Sequence, residues 1–470
     1  MESVPPESWW CTMRVLIQLR PSPDVVAAVA DPDVTATTAD VADGLPGVVL
    51  DPSFTPVAVP RPVPAAAGGD PLSLNQSLTF SLAADDASVM VRGEISDDEL
   101  STRVTLLPTL RNDVVGVFAD PVIESNLTCG GDAPVGDWHD VERLLHVAEL
   151  HAEGLDGSGV ALAVLDTGIN AAHVARHLGR DLVLDKERSW NPDGVTGRPG
   201  EFEVDHGTMC AFDTLIAAPR ATLIDIPVLL SRRPGGSALD GLLSDAVAAF
   251  AHLRTVLEAQ PAETRSLVVS NSWGSFSPRW DFPVGHPGNY SDNPAHPFNL
   301  IVASLEQAGA DVLFAAGNCG RDCRDGRCAY PNRPIAGANS HPGVLSIGGV
   351  DTGGQRVGYS SQGPGRLTLR KPDICSYTHF SGSKAFGAGE PDSGTSAACP
   401  VAAGLVAAIR TRWPVSALSP AQLRTLLRRT ADDRSDIGFD YDYGYGVTDT
   451  PGVLASLRRR AMRVASTTPS

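Results

Sequence analysis

The chain has 470 residues, of which 42% are hydrophobic and 20% are charged, and its formal net charge is −18. This length predicts more than one domain, and so acidic a chain lacks the basic surface that nucleic-acid binding requires. No run reaches the roughly 18 consecutive apolar residues that a transmembrane helix needs. The first residues also lack the basic and apolar regions of a signal peptide, so we expect a cytoplasmic protein.

The N-terminal quarter of the chain predicts a short tail at residues 1–12 and a small α+β domain at residues 13–128. Alternating or apolar runs predict strands, and a run opened by acids predicts a helix. In chain order these are a strand at 13–20, a strand at 87–92, a helix at 97–107 and a strand at 114–118. A Pro/Ala-rich stretch at about 43–72 is expected to form a loop, because proline disfavours packed helices and inner strands.

Residues 129–460 predict a larger α/β domain. Apolar runs typical of buried strands alternate there with helical ones, which indicates a mostly parallel sheet between two layers of helices. Such sheets bind ligands at the carboxyl ends of their strands. The last residues, 461–470, are expected to be disordered.

Three short motifs in this larger region contain residue types that nucleophilic catalysis uses. Asp166 ends an apolar run, His206 lies in Asp-His-Gly-Thr, and Ser396 lies in Ser-Gly-Thr-Ser. A serine hydroxyl needs a base to become a nucleophile, an imidazole can be that base near neutral pH, and a carboxylate can hold the imidazole in one tautomer. Each motif alone is more often a turn or a helix cap, so the prediction depends on all three together.

These motifs and three others occur in the order found in subtilases, the serine endopeptidases of the subtilisin superfamily. The others are Val-Val-Ser-Asn-Ser-Trp-Gly at 268–274, Phe-Ala-Ala-Gly-Asn at 314–318 and Tyr-Gly-Tyr-Gly-Val-Thr-Asp at 443–449. Between about residues 138 and 457 the chain resembles this family. The resemblance implies a subtilisin-like three-layer fold and hydrolysis of polypeptide substrates through an acyl-enzyme. It implies no cofactor and no metal in the chemistry, and it allows structural calcium ions.

The resemblance also implies roles for residues outside the triad. Asn318 is expected to donate its side-chain amide to the oxyanion of the tetrahedral intermediate. One edge, Ser272, Trp273 and Gly274, is expected to pair with the extended substrate. Residues Ala315, Ala316 and Gly317 are expected to line the opposite wall. Trp273 could equally be an aromatic residue of the core.

Two histidines that the family often has are replaced here by Met209 and Val401. These departures are compatible with an alternative in which the chain is an inactive subtilase-like module that binds peptides. A sedolisin-type peptidase shares Ser-Gly-Thr-Ser but lacks the Asp-His-Gly-Thr motif of this chain. The cysteine at position 210, four residues after His206, resembles a feature of the proteinase K branch, where a cysteine lies beneath the catalytic histidine.

The strand–helix–strand order of the small domain resembles the end of a subtilase propeptide, which restrains the protease and is then cut off. This resemblance implies a processing site between Ser125 and Asp132. The alternative is an accessory domain that stays attached and recognises a partner or a substrate.

Three cysteines lie within ten residues directly after Asn318, namely Cys319, Cys323 and Cys328. They could bind zinc, form a disulfide or remain free thiols. Their spacing matches no common zinc motif.

Overall fold

The computed structural model describes residues 12–467, except for residues 32–33, 43, 65–77, 82, 84–85, 126–127, 129–132 and 231–239. The strands of the N-terminal part are β1 (Thr12–Leu19), β2 (Val49–Leu50), β3 (Val57–Val59), β4 (Arg61–Pro64), β5 (Leu78–Ser81), β6 (Ser88–Ser96), β7 (Val114–Ala119) and β8 (Val122–Ser125). Its helices are α1 (Pro23–Ala30), α2 (Thr38–Val41) and α3 (Asp97–Leu110).

The strands of the larger part are β9 (Ala161–Leu165), β10 (Val183–Leu184), β11 (Thr222–Ile226), β12 (Asp240–Leu242), β13 (Leu267–Asn271), β14 (Trp273–Gly274), β15 (Ala310–Ala315), β16 (Leu345–Val350) and β17 (Ile374–Tyr377). Its helices are α4 (Trp138–Leu144), α5 (Val147–Ala152), α6 (Ala171–Leu178), α7 (His206–Ala217), α8 (Leu243–Glu258), α9 (Pro297–Ala308), α10 (Thr395–Arg410), α11 (Pro420–Thr430) and α12 (Thr450–Thr467).

A seven-stranded parallel sheet in the order β10-β11-β9-β13-β15-β16-β17 is the centre of the larger part. Strand β9 shows why the strands are apolar throughout. Leu162 and Val164 belong to the core on the side of α7 and α10, while Ala161, Ala163 and Leu165 belong to the core on the side of α8 and α9. A strand buried on both faces needs apolar residues at every position. The three-layer α/β fold predicted from the sequence is confirmed.

The N-terminal part forms a mainly antiparallel sheet in the order β2-β6-β1-β7, with β3 also paired to β6. Strand β1 alternates between two cores, because Val15 and Ile17 pack within this small domain while Leu16 joins the core around α8 and α9. Asp120, at the end of β7, accepts hydrogen bonds from the backbone N–H and the hydroxyl of Ser244 in α8, at 2.8 and 2.9 Å. The small sheet is therefore docked on the helices of the larger domain.

Two expectations about irregular segments are wrong. Part of the Pro/Ala-rich stretch forms β3, which contains no proline and pairs with β6. Another part forms β4, whose prolines remove few ladder hydrogen bonds because β4 belongs to a two-stranded sheet with β5. Residues 65–72 of that stretch lie outside the described residues. At the other end, α12 continues to Thr467, because residues 461–467 contain no helix-breaking residue.

The tail expected at residues 1–12 lies outside the described residues except for Thr12, which begins β1. Residues 468–470 are also outside them. None of the helices in the described part of the chain has both the length and the apolar character needed to cross a membrane.

Candidate active site

Asp166 and His206 are joined by a hydrogen bond at the carboxyl end of β9. Asp166 directly follows β9, and His206 is the first residue of α7. Both side chains are buried, and Nδ1 of His206 lies 2.7 Å from Oδ1 of Asp166. Burial by itself lowers the pKa of His206. The charge and the hydrogen bond of Asp166 raise this pKa by more than burial lowers it, so the net shift is upward.

The two motifs also pack against each other, which explains their glycines. An added Cβ at Gly207 would lie 2.5 Å from the carbonyl oxygen of Gly168, so only glycine lets α7 begin this close to the loop after β9. The backbone N–H of Gly207 donates to the Thr167 hydroxyl at 2.8 Å. Asp205 caps α7 by accepting from the backbone N–H of His206 at 2.8 Å.

Ser396 is the second residue of α10 and is buried. Its hydroxyl donates to the carbonyl oxygen of Ser272 at 3.3 Å, and the Ser272 hydroxyl donates to the carbonyl oxygen of Ser396 at 3.0 Å. Nε2 of His206 is buried and has no hydrogen-bond partner within the described residues. The structure thus pairs Asp166 with His206, while the hydroxyl of Ser396 is bonded to the neighbouring strand.

Cys210 connects the three predicted triad residues. Its sulfur lies 3.5 Å from Oδ2 of Asp166, 3.8 Å from Nδ1 of His206 and 3.5 Å from the carbonyl oxygen of Ser396. The thiol is buried, and this burial raises its pKa well above the usual value. Cys210 is therefore a neutral side chain packed beneath the histidine, as the resemblance to the proteinase K branch implies.

Asn318 follows β15 and is completely buried. Its Oδ1 accepts hydrogen bonds from the backbone N–H of Thr395 at 2.9 Å and from the Thr395 hydroxyl at 3.1 Å. These bonds assign the oxygen, so Nδ2 lies on the other side, where an added Cβ at Gly394 would be 2.8 Å away. Gly394 has φ +79° and precedes α10, so the amide of Asn318 lies beside the helix N-terminus that contains Ser396.

The edge beside Ser396 is occupied by β8, the last strand before the larger domain. Strand β8 pairs antiparallel with β12 on one side and with β14 on the other. On β14, Trp273 faces Ser125 and Gly274 faces Glu124. The predicted substrate edge therefore pairs with an extended segment of the chain itself.

The Trp273 side chain belongs to the core, which was the second of the two interpretations considered for it. It is completely buried against Phe298 and Phe314, with ring centroids 6.0 and 5.1 Å away. Its backbone pairs with Ser125 of β8. Asn339, which sequence reasoning missed, donates from Nδ2 to the carbonyl oxygens of Trp273 at 2.8 Å and Ala315 at 2.9 Å.

The predicted opposite wall lies within the same network. The backbone N–H of Ala316 donates to Ile347 at 2.9 Å, and that of Gly317 donates to the Thr395 hydroxyl at 3.0 Å. Ala316 is only 2% exposed. No sequence signal singles out Asn339, and the Ser-Gly-Thr-Ser motif does not by itself indicate this contact of Thr395.

The cysteines after Asn318 form disulfides, so the zinc and free-thiol alternatives are wrong for them. Cys319 is bonded to Cys328, with their Cα atoms 5.7 Å apart, and Cys323 is also disulfide-bonded. The disulfide closes a loop that contains Arg327. The guanidinium of Arg327 pairs with the carboxylates of Glu124 and Asp325, at 2.7 and 2.9 Å. Sequence reasoning missed Arg327, although it lies inside the cysteine-rich segment.

Comparisons with known proteins agree with this architecture. A family model described as the subtilase family matches residues 157–446. Subtilisin DY of Bacillus licheniformis is 26% identical over 308 residues, covering 65% of this chain and 94% of subtilisin DY. A thermostable alkaline protease of Halalkalibacterium halodurans is 25% identical over 307 residues, covering 64% and 70%. M-protease of Shouchella clausii is 26% identical over 381 residues, covering 78% and 84%. The family match spans more than half of the chain, which therefore belongs to the subtilase family of serine endopeptidases.

Proposed function

We propose that this endopeptidase uses Ser396 as nucleophile, His206 as general base and Asp166 as the carboxylate that orients the base. The observation that supports this most is the 2.7 Å hydrogen bond between Nδ1 of His206 and Asp166. That bond sets the tautomer in which Nε2 can accept a proton, and Nε2 has no other hydrogen-bond partner in the described part of the chain.

In the proposed reaction the Ser396 hydroxyl leaves the carbonyl oxygen of Ser272 and donates to Nε2 of His206. Its oxygen attacks the scissile carbonyl carbon as the proton passes to the imidazole. The Asn318 amide and the Ser396 backbone N–H hold the oxyanion, supported by the N-terminal end of α10. Nε2 then returns the proton to the leaving amine, and water hydrolyses the acyl-enzyme by the same steps.

The inactive peptide-binding module is the second candidate, and it is less well supported. The two departures from the family pattern, Met209 and Val401, are 1% and 0% exposed. They are core side chains that leave the hydrogen bond between Asp166 and His206 intact. The sedolisin alternative is weaker still, because a histidine occupies the position of the base.

The N-terminal part is proposed to restrain the protease by occupying its substrate edge. Three contacts support this: β8 lies between β12 and β14, the small sheet packs against α8 and α9, and Asp120 caps α8. The segment expected to be processed begins at Ser125, and most of it lies outside the described residues. Thr128 lies beside the nucleophile motif, with its hydroxyl oxygen 3.5 Å from that of Ser393. We place the cut between Ser125 and Thr128.

Recognition through backbone pairing implies a polypeptide in extended form as substrate. The proposed chemistry needs no cofactor or metal. The possible metal-ligand atoms of Asp166, His206 and Cys210 lie within 4.8 Å of one another. The hydrogen bonds among these three side chains account for their closeness. Structural calcium remains an expectation. The disulfides favour an oxidising compartment over the cytoplasm that the N-terminal sequence predicts.

A fluorophosphonate probe tests the proposed nucleophile. The wild-type protein should be labelled, Ser396→Ala should not, and Ser416→Ala, which changes an exposed serine of the same domain, should be labelled at the wild-type rate. An unlabelled wild-type protein with a normal unfolding transition would favour the peptide-binding module.

Measurement of the intact mass decides whether the N-terminal part is cut off. If wild type and Ser396→Ala both retain residue 1, self-processing is wrong and the accessory-domain interpretation holds.

A further inference from the structure

Arg327 contacts both the backbone and a side chain of β8. Its Nη2 donates to the carbonyl oxygen of Ser125 at 2.6 Å, and its Nη1 donates to Oε2 of Glu124 at 2.7 Å. The Arg327 side chain is 34% exposed and that of Glu124 is 23% exposed. The first contact is independent of sequence, whereas the second requires an acidic side chain.

The guanidinium is held in place from the other side. Asp325, whose side chain is 2% exposed, pairs with Nη2 of Arg327 at 2.9 Å and accepts from its backbone N–H at 2.9 Å. The backbone N–H of Asp325 donates to the carbonyl oxygen of Asn318 at 3.0 Å. The disulfide between Cys319 and Cys328 closes this loop. Arg327 is therefore also held by contacts outside β8, in a loop that is bonded to Asn318.

The positive charge of Arg327 is one of the smaller effects that lower the pKa of His206, although the net shift of that pKa is upward. Glu124 faces Gly274 on β14, two positions from Ser272, whose carbonyl oxygen accepts the Ser396 hydroxyl. On any antiparallel partner of β14, the residue facing Gly274 precedes the residue facing Ser272 by two positions. If the residue facing Ser272 supplies the scissile carbonyl, the residue facing Gly274 is the third before the cut.

We infer that Arg327 is a specificity-determining residue that selects substrates with an acidic side chain at the third position before the scissile bond. This inference rests on the proposed function, in which β8 occupies the place of a substrate. Arginine suits the task, because its planar fork can hold a backbone carbonyl and a carboxylate at once. Gly274, opposite this position, has no side chain that would compete for the acid.

The test compares three ten-residue peptides that differ only at this position, which is Glu, Gln or Lys. For the full chain after self-processing, kcat/KM should be about fivefold higher for Glu than for Gln, as expected for one partly exposed ion pair, and lowest for Lys. Arg327→Gln should remove the preference, and Arg327→Glu should make the Lys peptide the best substrate. Arg321→Gln changes a 74% exposed arginine of the same loop and should keep the wild-type preference.

The measured quantity is a ratio within each variant, so a general loss of activity does not imitate the result. Equal rates for the Glu and Gln peptides in the wild-type protein would overturn the inference and leave the proposed function standing. If none of the three peptides is cleaved and the probe does not label Ser396, both fail.

A second measurement uses the chain as its own substrate. Glu124→Lys should slow self-processing, and the exchange of charges in Glu124→Lys with Arg327→Glu should restore part of the rate. If the double variant processes itself no faster than either single variant, this ion pair does not contribute to recognition of β8 and the inference is wrong.

Discussion

The hydroxyl of Ser396 donates to the carbonyl oxygen of Ser272 at 3.3 Å, although the imidazole of His206 belongs to the same buried cluster. In the proposed mechanism, the bond between hydroxyl and imidazole must therefore form before attack. Catalytic hydrogen bonds often tighten only when a substrate is bound. The carboxylate–imidazole pair of the proposed triad is already hydrogen-bonded in this structure, and the charge of the carboxylate would set the pH at which the proposed base is neutral.

The acid limb of kcat/KM should lie above pH 6.5. The pKa of His206 is raised in the folded protein, and only the neutral imidazole can accept the Ser396 proton, so activity falls as the pH drops through that raised pKa. Asp166→Asn removes the charge responsible and should move the limb to lower pH, with a loss of about 10⁴-fold in kcat. The dependence of kcat and kcat/KM on pH, measured for the wild-type protein and for Asp166→Asn, checks the position of the limb and its shift. His139→Gln, a change at an exposed histidine, should leave the limb in place, and a wild-type limb below pH 6.5 would contradict the prediction.

Asn318→Ala should lower kcat by about 10²–10³-fold with little change in KM, a loss known from subtilisin for its own oxyanion donor. Thr395→Val keeps the amide but removes the hydroxyl that contacts Oδ1 at 3.1 Å and the Gly317 N–H at 3.0 Å. We expect a smaller loss of about tenfold in kcat, the value of one buried hydrogen bond. Steady-state kinetics on one peptide would decide. Equal losses for the two variants would contradict the prediction, because Thr395→Val keeps the Asn318 amide.

A small thiol reagent should inactivate the enzyme slowly. Methyl methanethiosulfonate transfers its methylthio group to the Cys210 thiolate, which forms a mixed disulfide and releases methanesulfinate. The space around that sulfur is already filled by Asp166, His206 and Ser396 at 3.5–3.8 Å. The reaction is slow because the thiol is buried and its pKa is raised. Cys210→Ala should retain activity and become insensitive to the reagent. If mass spectrometry shows that Cys210 is completely modified and the wild-type protein is still fully active, the prediction of inactivation is wrong.

Gly404→Ala should lower the free energy of unfolding by about 1–3 kcal/mol, the usual cost of overpacking a core. An added Cβ would lie 2.3 Å from the carbonyl oxygen of Thr214, where α10 crosses α7. This contact outweighs the helix propensity gained by replacing glycine with alanine, about 1 kcal/mol. Urea unfolding in a Ser396→Ala background avoids autolysis. Gly389→Ala, where an added Cβ meets nothing within 4 Å, should change stability little.

The sequence by itself determined the family, the fold class and the candidate triad. These are local signals: an apolar strand ending in Asp166, a helix cap before His206 and a glycine before the Ser396 helix each leave a mark within a few residues. The small domain was read in the same way, since its predicted helix at 97–107 is observed as Asp97–Leu110. Prolines misled the prediction at β3 and β4, because composition does not say whether a strand has one neighbour or two.

Only the tertiary structure decided what surrounds the candidate triad. Glu124 and Arg327 are 203 residues apart in the chain, so no local pattern relates them. The same holds for the position of β8 between β12 and β14, for the burial of Trp273 and for the contact of Asn339 with two strands. Such contacts depend on how distant elements pack, which is a property of the whole core. The proposed chemistry could be read from short motifs, whereas the proposed selection of a substrate depends on contacts that exist only in the folded chain.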